Sequence, residues 1–217
     1  MKALNVYTCG PTVYAQSHIG HARTYVCLDM IRRIMNEYEH IPTVWAMNIT
    51  DIDDKIINEF NKGETGFSSP FEYAHHCEEM FFKNMNELNV LKPDVVLHVT
   101  DVIPDIIEFV QDLIKNGYAY VSNGSVYFDV INYSRKFEYE PLKRASESYA
   151  EPNSDKHNPF DFALWKHSDD QPYWSSPWGN GRPGWHIECS TMCMKLFGNQ
   201  VDIHCGGIDL SFPHHTN

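Results

Sequence analysis

The stretch Val6-Tyr7-Thr8-Cys9-Gly10-Pro11-Thr12-Val13-Tyr14, followed at once by His18-Ile19-Gly20-His21, decides the fold class of this chain. An apolar, β-prone run turns through Gly-Pro and delivers two histidines, around a glycine, to the start of an amphipathic segment. That order is how a phosphate-handling strand-turn-helix is built, because unpaired N–H groups at a helix start attract anions. Cys9 closes the strand and puts a thiol beside the turn. The combination predicts an enzyme that activates its substrate with ATP and uses Cys9 in choosing it.

Beyond the turn, Ile19, Ala22, Val26, Met30, Ile34 and Tyr38 recur at helical spacing and predict a helix from about His18 to Tyr38. Thr43 to Ile49 reads as a buried strand. It runs into the polar cluster Asn48-Ile49-Thr50-Asp51-Ile52-Asp53-Asp54, at the carboxyl end where open α/β sheets place their ligands. Helices are predicted over Pro70 to Leu88 and Asp101 to Asn116, the second with Thr100 as N-cap and Gly117 as stop. Ile103, Ile106, Ile107, Val110, Leu113 and Ile114 form its core-facing side. Tyr118 to Val121 and Ser125 to Val130, joined through Ser122-Asn123-Gly124, predict a hairpin. Ile131 to Asn158 is polar and aperiodic, so a long surface insertion is expected there. After segments rich in Trp, Pro and Gly, a helix is predicted from Trp185 to Phe197, stopped by Gly198. Val201-Asp202-Ile203-His204 then reads as a second parallel strand leading into Cys205-Gly206-Gly207.

Charge and cysteine usage narrow the function. Lys+Arg 17 against Asp+Glu 29 gives a net charge of −12, which argues against a chain that wraps nucleic acid by electrostatics alone. A nucleic-acid partner must then be held locally or by another segment. No apolar run approaches the ~18 residues of a membrane span, so no membrane partner is expected. Met1-Lys2 leads almost directly into the first strand without room for a secretory signal, and a cytoplasmic address is expected. The six cysteines read as thiols or metal ligands and not as a disulfide scaffold.

Taken alone, His18-Ile19-Gly20-His21 would pass for a structural histidine pair; the strand and Gly-Pro turn before it favour phosphate binding, with Gly20 admitting a base or ribose. Cys9, Cys189 and His214 or His215 all follow or adjoin predicted strand and helix ends, a donor set that suits zinc. Their spacing is not that of a zinc finger, and buried inert cysteines are the plainer reading of spacing alone. Cys27, Cys77 and Cys193 read as core. In Arg182-Pro183-Gly184-Trp185-His186-Ile187-Glu188-Cys189-Ser190, Trp185 either fills core volume or walls a small pocket.

Cys9 to Tyr14, His18 to Arg23, Asn48 to Lys55, Ser176-Pro177-Trp178-Gly179, Gly181 to Ser190 and Asp202 to His215, in order, closely resemble cysteinyl-tRNA synthetases, the cysteine-specific branch of the class I aminoacyl-tRNA synthetases. The resemblance runs along nearly the whole chain. It implies an α/β fold with a Rossmann-type parallel sheet and an inserted connective region. Residues 1–116 would form the first half of the catalytic domain, 117–181 the insertion with hairpin and long loop, and 182–217 the start of the second half. His18 and His21 match the ATP signature, with Thr12 and Gly20 beside it; Asp209 matches a residue near the ATP ribose and adenine. Cys9, Cys189 and His214 match three zinc ligands, the fourth being a glutamate expected one position past Asn217. Thr50, Trp185 and His204 match residues around bound L-cysteine, which Cys9 also reaches through the metal.

The implied cofactors are Zn2+ and ATP with Mg2+, and the implied partners are L-cysteine, ATP and tRNA(Cys). A metal suits the selectivity problem: a hydrophobic pocket separates near-isosteres such as cysteine and serine by only ~1 to 3 kcal/mol, whereas a thiol ionises readily on zinc. Cys205 departs from the family pattern, standing where a glycine is usual, and Thr216 stands where an acidic or related polar residue is common. A second lysine-rich ATP signature and an anticodon-binding domain are expected outside this stretch. Two other readings share these residues: a mycothiol-type ligase that passes the activated cysteine to an amino sugar, and a non-catalytic zinc- or nucleotide-binding module derived from a synthetase.

Overall fold

The structure is a computed structural model that describes residues 2–139, 154–211 and 214–215. Its strands are β1 (Leu4–Thr8), β2 (Thr43–Ile49), β3 (Val95–His98), β4 (Ala119–Ser122), β5 (Ser125–Phe128), β6 (Phe162–His167), β7 (Trp174–Ser176), β8 (Gly179–Pro183) and β9 (Ile203–Cys205). Its α-helices are α1 (Ile19–Arg33), α2 (Asp54–Asn61), α3 (Pro70–Glu87), α4 (Ile103–Lys115), α5 (Val130–Ser134) and α6 (Trp185–Phe197). The chain divides into two compact units, Met1–Val102 with Met192–Ile208 and Ile103–Thr191 with Asp209–Asn217.

The first unit carries a parallel sheet in the order β3-β2-β1-β9. Chain order reverses at β1: the chain steps outward to β2 and β3, and β9 pairs on the other side of β1. The carboxyl ends of β1 and β9 therefore flank a topological switch point, the place where open α/β sheets bind ligands. Thr8 pairs with Met47 on one side and with Cys205 on the other. β2 coincides with its prediction, and β9 is parallel to β1 as predicted, whereas α2 and the four-residue β3 had no periodicity long enough to announce them. Val13, Ile49, Ile56, Ala74 and Cys77 pack as one core cluster and Tyr25, Met47, Phe81 and Met85 as another.

α1 forms where the periodicity placed it and runs on through a π-helical turn, Ile34–Tyr38. Its face is the surprise. Ile19 is 85 % exposed, Met30 52 % and Tyr38 79 %, and Tyr25 is the residue that α1 buries. Cys27, expected in the core, lies outward with Ile19, Met30, Ile34 and Tyr38, while Ala22 and Val26 are half-buried and Tyr25 is what reaches the Phe81 and Met85 cluster. Thr100, expected to cap α4, instead donates its hydroxyl and backbone N–H to Asp51, and a 3-10 turn, Thr100–Val102, leads into the helix. Burial pushes the Asp51 carboxyl up.

The second unit holds an antiparallel sheet in the order β4-β5-β6-β8-β7. The predicted hairpin is β4-β5, with Asn123 at φ 48° and Gly124 at φ 79°, the two left-handed residues that a tight two-residue turn demands. The buried Asp161 carboxylate accepts from the Tyr120 hydroxyl at 2.6 Å, Val130 N–H at 3.1 Å and Asn158 N–H at 3.0 Å, and so ties the hairpin, α5 and β6 together. Of the expected long insertion, residues 140–153 lie outside the described residues, and α5 occupies its start. All six cysteines are free thiols, and no helix among the described residues is long and apolar enough to cross a membrane.

His98, at the end of β3, meets Glu78 of α3 at 2.9 Å through Nε2, and Asp101 lies 3.4 Å from its Nδ1. The Glu78 hydrogen bond, against the opposing effect of burial, lifts the imidazole to about 9. The folded value lies above the unfolded one, so this stabilisation is complete below about pH 6.5 and is lost as pH rises through about 9. His98→Gln is expected to flatten the stability profile across that window by about 1 kcal/mol after solvent screening, read by urea unfolding at about pH 6 and about pH 9.5. An unchanged pH slope in the variant would show that the pair contributes nothing.

Candidate active site

Cys9 is buried immediately after β1. Its N–H donates to the Cys205 carbonyl at 2.9 Å and its carbonyl accepts from the Tyr25 hydroxyl at 3.1 Å, so neither end can swing. A Cβ on the next residue, Gly10, would lie 1.7 Å from the Asn48 carbonyl oxygen, so only glycine lets the chain pass over β2. The fully buried Asn48 side chain completes the crossing. Its Oδ1 accepts from Gly10 N–H at 3.0 Å and from the Tyr7 hydroxyl at 3.2 Å, and its Nδ2 donates to Thr50 Oγ1 at 3.4 Å. Thr50 N–H donates to Pro11 O and Val13 N–H to Thr50 O, which sets Thr12 beside Thr50 in a parallel bridge. His204 on β9 meets the Tyr7 ring edge-on at 5.4 Å. Cys205 is half-buried at the end of the same strand, and burial pushes its thiol up.

The other half of the signature lies at the start of α1, where His18 is the N-cap. Its Nδ1 accepts from Gly20 N–H at 3.1 Å, and His21 Nδ1 accepts from His18 N–H at 3.2 Å, a capping box in which both side chains are imidazoles. A ring that accepts at Nδ1 carries its proton on Nε2. The two rings therefore present N–H donors, stacked at 4.0 Å, at the positive end of a helix whose first turn has no acidic residue. A Cβ on Gly20 would lie 2.8 Å from His18 Cε1, so glycine is what lets the His18 ring fold back onto the helix.

In the second unit, Gly184 passes so near β6 that a Cβ would lie 1.9 Å from Ala163 O, and its N–H donates to Leu164 O at 2.8 Å. This crossing fixes where α6 starts. Trp185 then stacks flat on His214, 3.9 Å away with 5° between the planes. His214 Nε2 lies 3.5 Å from Cys189 Sγ, and both side chains are buried. With usual Zn–S and Zn–N lengths, two ligands of a tetrahedral zinc stand about 3.6 Å apart, so this pair fits a zinc ion. His186 Nδ1 lies 3.3 Å from His214 Nδ1, and burial, aided by His214 and Lys166, pushes the His186 imidazole down to about 3. The spacing of motifs did not single out His186; its place beside Trp185 in a helix-opening run is the signal that could have.

The folded chain thus brings His18 to His21 and Gly20, Thr12 to Thr50, and Cys189 to His214 and Trp185. Asp209 falls in the 3-10 turn Ile208–Leu210, its side chain outside the described ones, as is Thr216.

A family model described as tRNA synthetases class I (C) catalytic domain matches residues 1–217, the whole chain. The chain belongs to this family. Curated relatives of this synthetase catalytic domain include the cytoplasmic cysteine--tRNA ligase of Dictyostelium discoideum, 50% identical over 100% of this chain and 34% of the relative. The cysteine--tRNA ligase of Encephalitozoon cuniculi is 49% identical over 99% of this chain and 45% of its own length. A probable mitochondrial cysteine--tRNA ligase of Xenopus tropicalis is 50% identical over 97% of this chain and 37% of its own. The chain thus spans less than half the length of these relatives. Among solved structures, the Mycobacterium tuberculosis methionyl-tRNA synthetase in complex with methionyl-adenylate superposes with a TM-score of 0.69 at 14% identity, over 97% of this chain and 52% of that one. At that identity the likeness concerns the fold, and it is the Rossmann-type fold of class I synthetases.

The Gly10 crossing is testable in this synthetase domain. Gly10→Ala is expected to cost about 3 kcal/mol or more, because the obstacle is backbone and not a movable side chain. Wild-type stability of that variant in urea unfolding would mean that the two strands can separate at the turn.

Proposed function

We propose that the full-length protein carrying this domain is a cysteine--tRNA ligase, which joins L-cysteine to tRNA(Cys) at the expense of ATP. The observation that carries the thiol specificity is the buried Cys189–His214 pair at zinc spacing, beneath the flat Trp185 ring. The relatives' shared name supports the same reading, and a cytoplasmic place accords with the Dictyostelium relative.

In this reading ATP with Mg2+ lies at the start of α1. His18 and His21 donate from Nε2 to the phosphates, Thr12 and Gly20 line the approach, and Asp209 attends the ribose and adenine. A carboxylate oxygen of cysteine attacks the α-phosphorus, the bond to the bridging oxygen breaks, and pyrophosphate leaves. Charge that builds on the phosphate oxygens is met by the two imidazole N–H groups and the helix end, donors already in place before reaction. A hydroxyl at the 3′ end of tRNA then attacks the carbonyl carbon of the adenylate and AMP departs. By the family resemblance Cys9, Cys189 and His214 would hold the zinc, with Thr50, Trp185 and His204 around the amino acid. Bound zinc supplies a Lewis acid that takes the substrate as thiolate, a form that serine does not offer at neutral pH.

The test is ATP–pyrophosphate exchange by the full-length protein, which should depend on L-cysteine and ignore L-serine. His21→Ala should slow exchange roughly 100-fold or more with little change in cysteine affinity. A collapse of cysteine affinity at an intact rate would remove His21 from the phosphate role. Cys9→Ser should lower zinc content and let serine compete; unaltered zinc and unaltered selectivity would exclude Cys9 as a ligand.

A further inference from the structure

We infer that His186 is a positioning residue: it accepts the Nδ1 proton of His214 and so holds His214 Nε2 as a lone-pair donor toward the metal. The inference rests on the proposed zinc role of Cys189 and His214. Two ring nitrogens 3.3 Å apart share one proton, so one of the two Nδ1 atoms donates and the other accepts. His214 Nε2 faces Cys189 Sγ at 3.5 Å, and a nitrogen that ligates a metal must offer its lone pair there. The His214 proton then sits on Nδ1, and His186 accepts it with its own proton on Nε2. Metal-ligating histidines characteristically spend their second nitrogen in this way, on a carboxylate, a carbonyl or water; here the acceptor is an imidazole.

Position in α6 explains why this residue can do it. Trp185, His186 and Cys189 all belong to the opening of one helix, whose start is pinned where Gly184 crosses β6. Trp185 and Cys189, four apart, share a helix face. Trp185 stacks on the plane of His214, fixing its tilt, while the His186 contact fixes the rotation of the ring within that plane. His186 is itself steadied by Phe162 of β6, whose ring meets it edge-on at 5.0 Å. One helix turn thus supplies a ligand, a plate and an acceptor to the same metal-facing ring.

The experiment is zinc competition against a chromophoric chelator, using the full-length protein. His186→Phe keeps a ring against Phe162 but removes the acceptor, and should weaken zinc roughly 10- to 100-fold; His186→Asn, whose Oδ1 falls near the lost Nδ1, should stay within about 3-fold of wild type. Long-range 15N–1H spectra of the zinc-loaded protein should show His214 protonated on Nδ1 and His186 on Nε2. Wild-type zinc affinity in His186→Phe, equal losses in the Phe and Asn variants, or a His214 protonated on Nε2 would each overturn the inference. Should His186→Phe not fold, His186→Gln, which carries its acceptor to the Nε2 position, takes its place in the comparison with Asn. A wild-type protein that binds no zinc would overturn the zinc reading and this inference together, whereas tight zinc that ignores residue 186 overturns the inference alone.

Discussion

The site in the first unit depends on one close crossing, where the chain leaving β1 passes over the end of β2 with no room for a side chain at Gly10. Asn48 turns that contact into a joint. It is wholly buried, and its amide takes the Gly10 N–H and the Tyr7 hydroxyl on one atom while donating to Thr50 from the other. Each of these groups would cost about 1 to 3 kcal/mol if buried without a partner. The crossing therefore fixes Cys9, Thr12 and Thr50 relative to one another before any ligand arrives. The second unit has its own version at Gly184, which sets the start of α6 and with it Trp185 and Cys189.

A second regularity concerns histidine. His18, His21 and His214 each commit Nδ1 to a neighbour within the fold, the first two to backbone N–H groups and the third to His186. The partner decides the outcome. A donor opposite Nδ1 makes Nε2 an N–H, suited to phosphate oxygens, while an acceptor opposite Nδ1 makes Nε2 a lone pair, suited to a metal. The same side chain thereby serves opposite chemistries according to what stands behind it.

Local signals in the sequence were strong where physics acts locally. The Asn123-Gly124 turn, the place of β2 and the span of α6 follow from left-handed backbone preference, the apolar run Val44 to Met47 and helical period, and all three formed as expected. Signals failed where the outcome depends on a neighbour. α1 has a good apolar period, yet Ile19, Met30 and Tyr38 are exposed, since periodicity says that a face exists and not what covers it. Thr100 has the chemistry of a cap, but a buried carboxylate at Asp51 claimed its hydroxyl. β3 is four residues long, too short for alternation to be read, and became a strand because β2 offered it an edge.

By itself the sequence determined the residue types the chemistry needs: thiols and imidazoles, a Gly-Pro turn, a tryptophan opening a helix, and a strand-turn-helix order that calls for a parallel sheet. It could not determine that Nδ1 of His18 and of His21 each accepts a backbone N–H, that Asn48 and not a backbone group closes the β1 turn, or that His186 stands behind His214. Those features are set by contacts between residues far apart in the chain, at distances of about 3 Å where hydrogen-bond direction matters. Tertiary structure decided them because a hydrogen bond is a property of two groups in space, and a sequence lists only one group at a time.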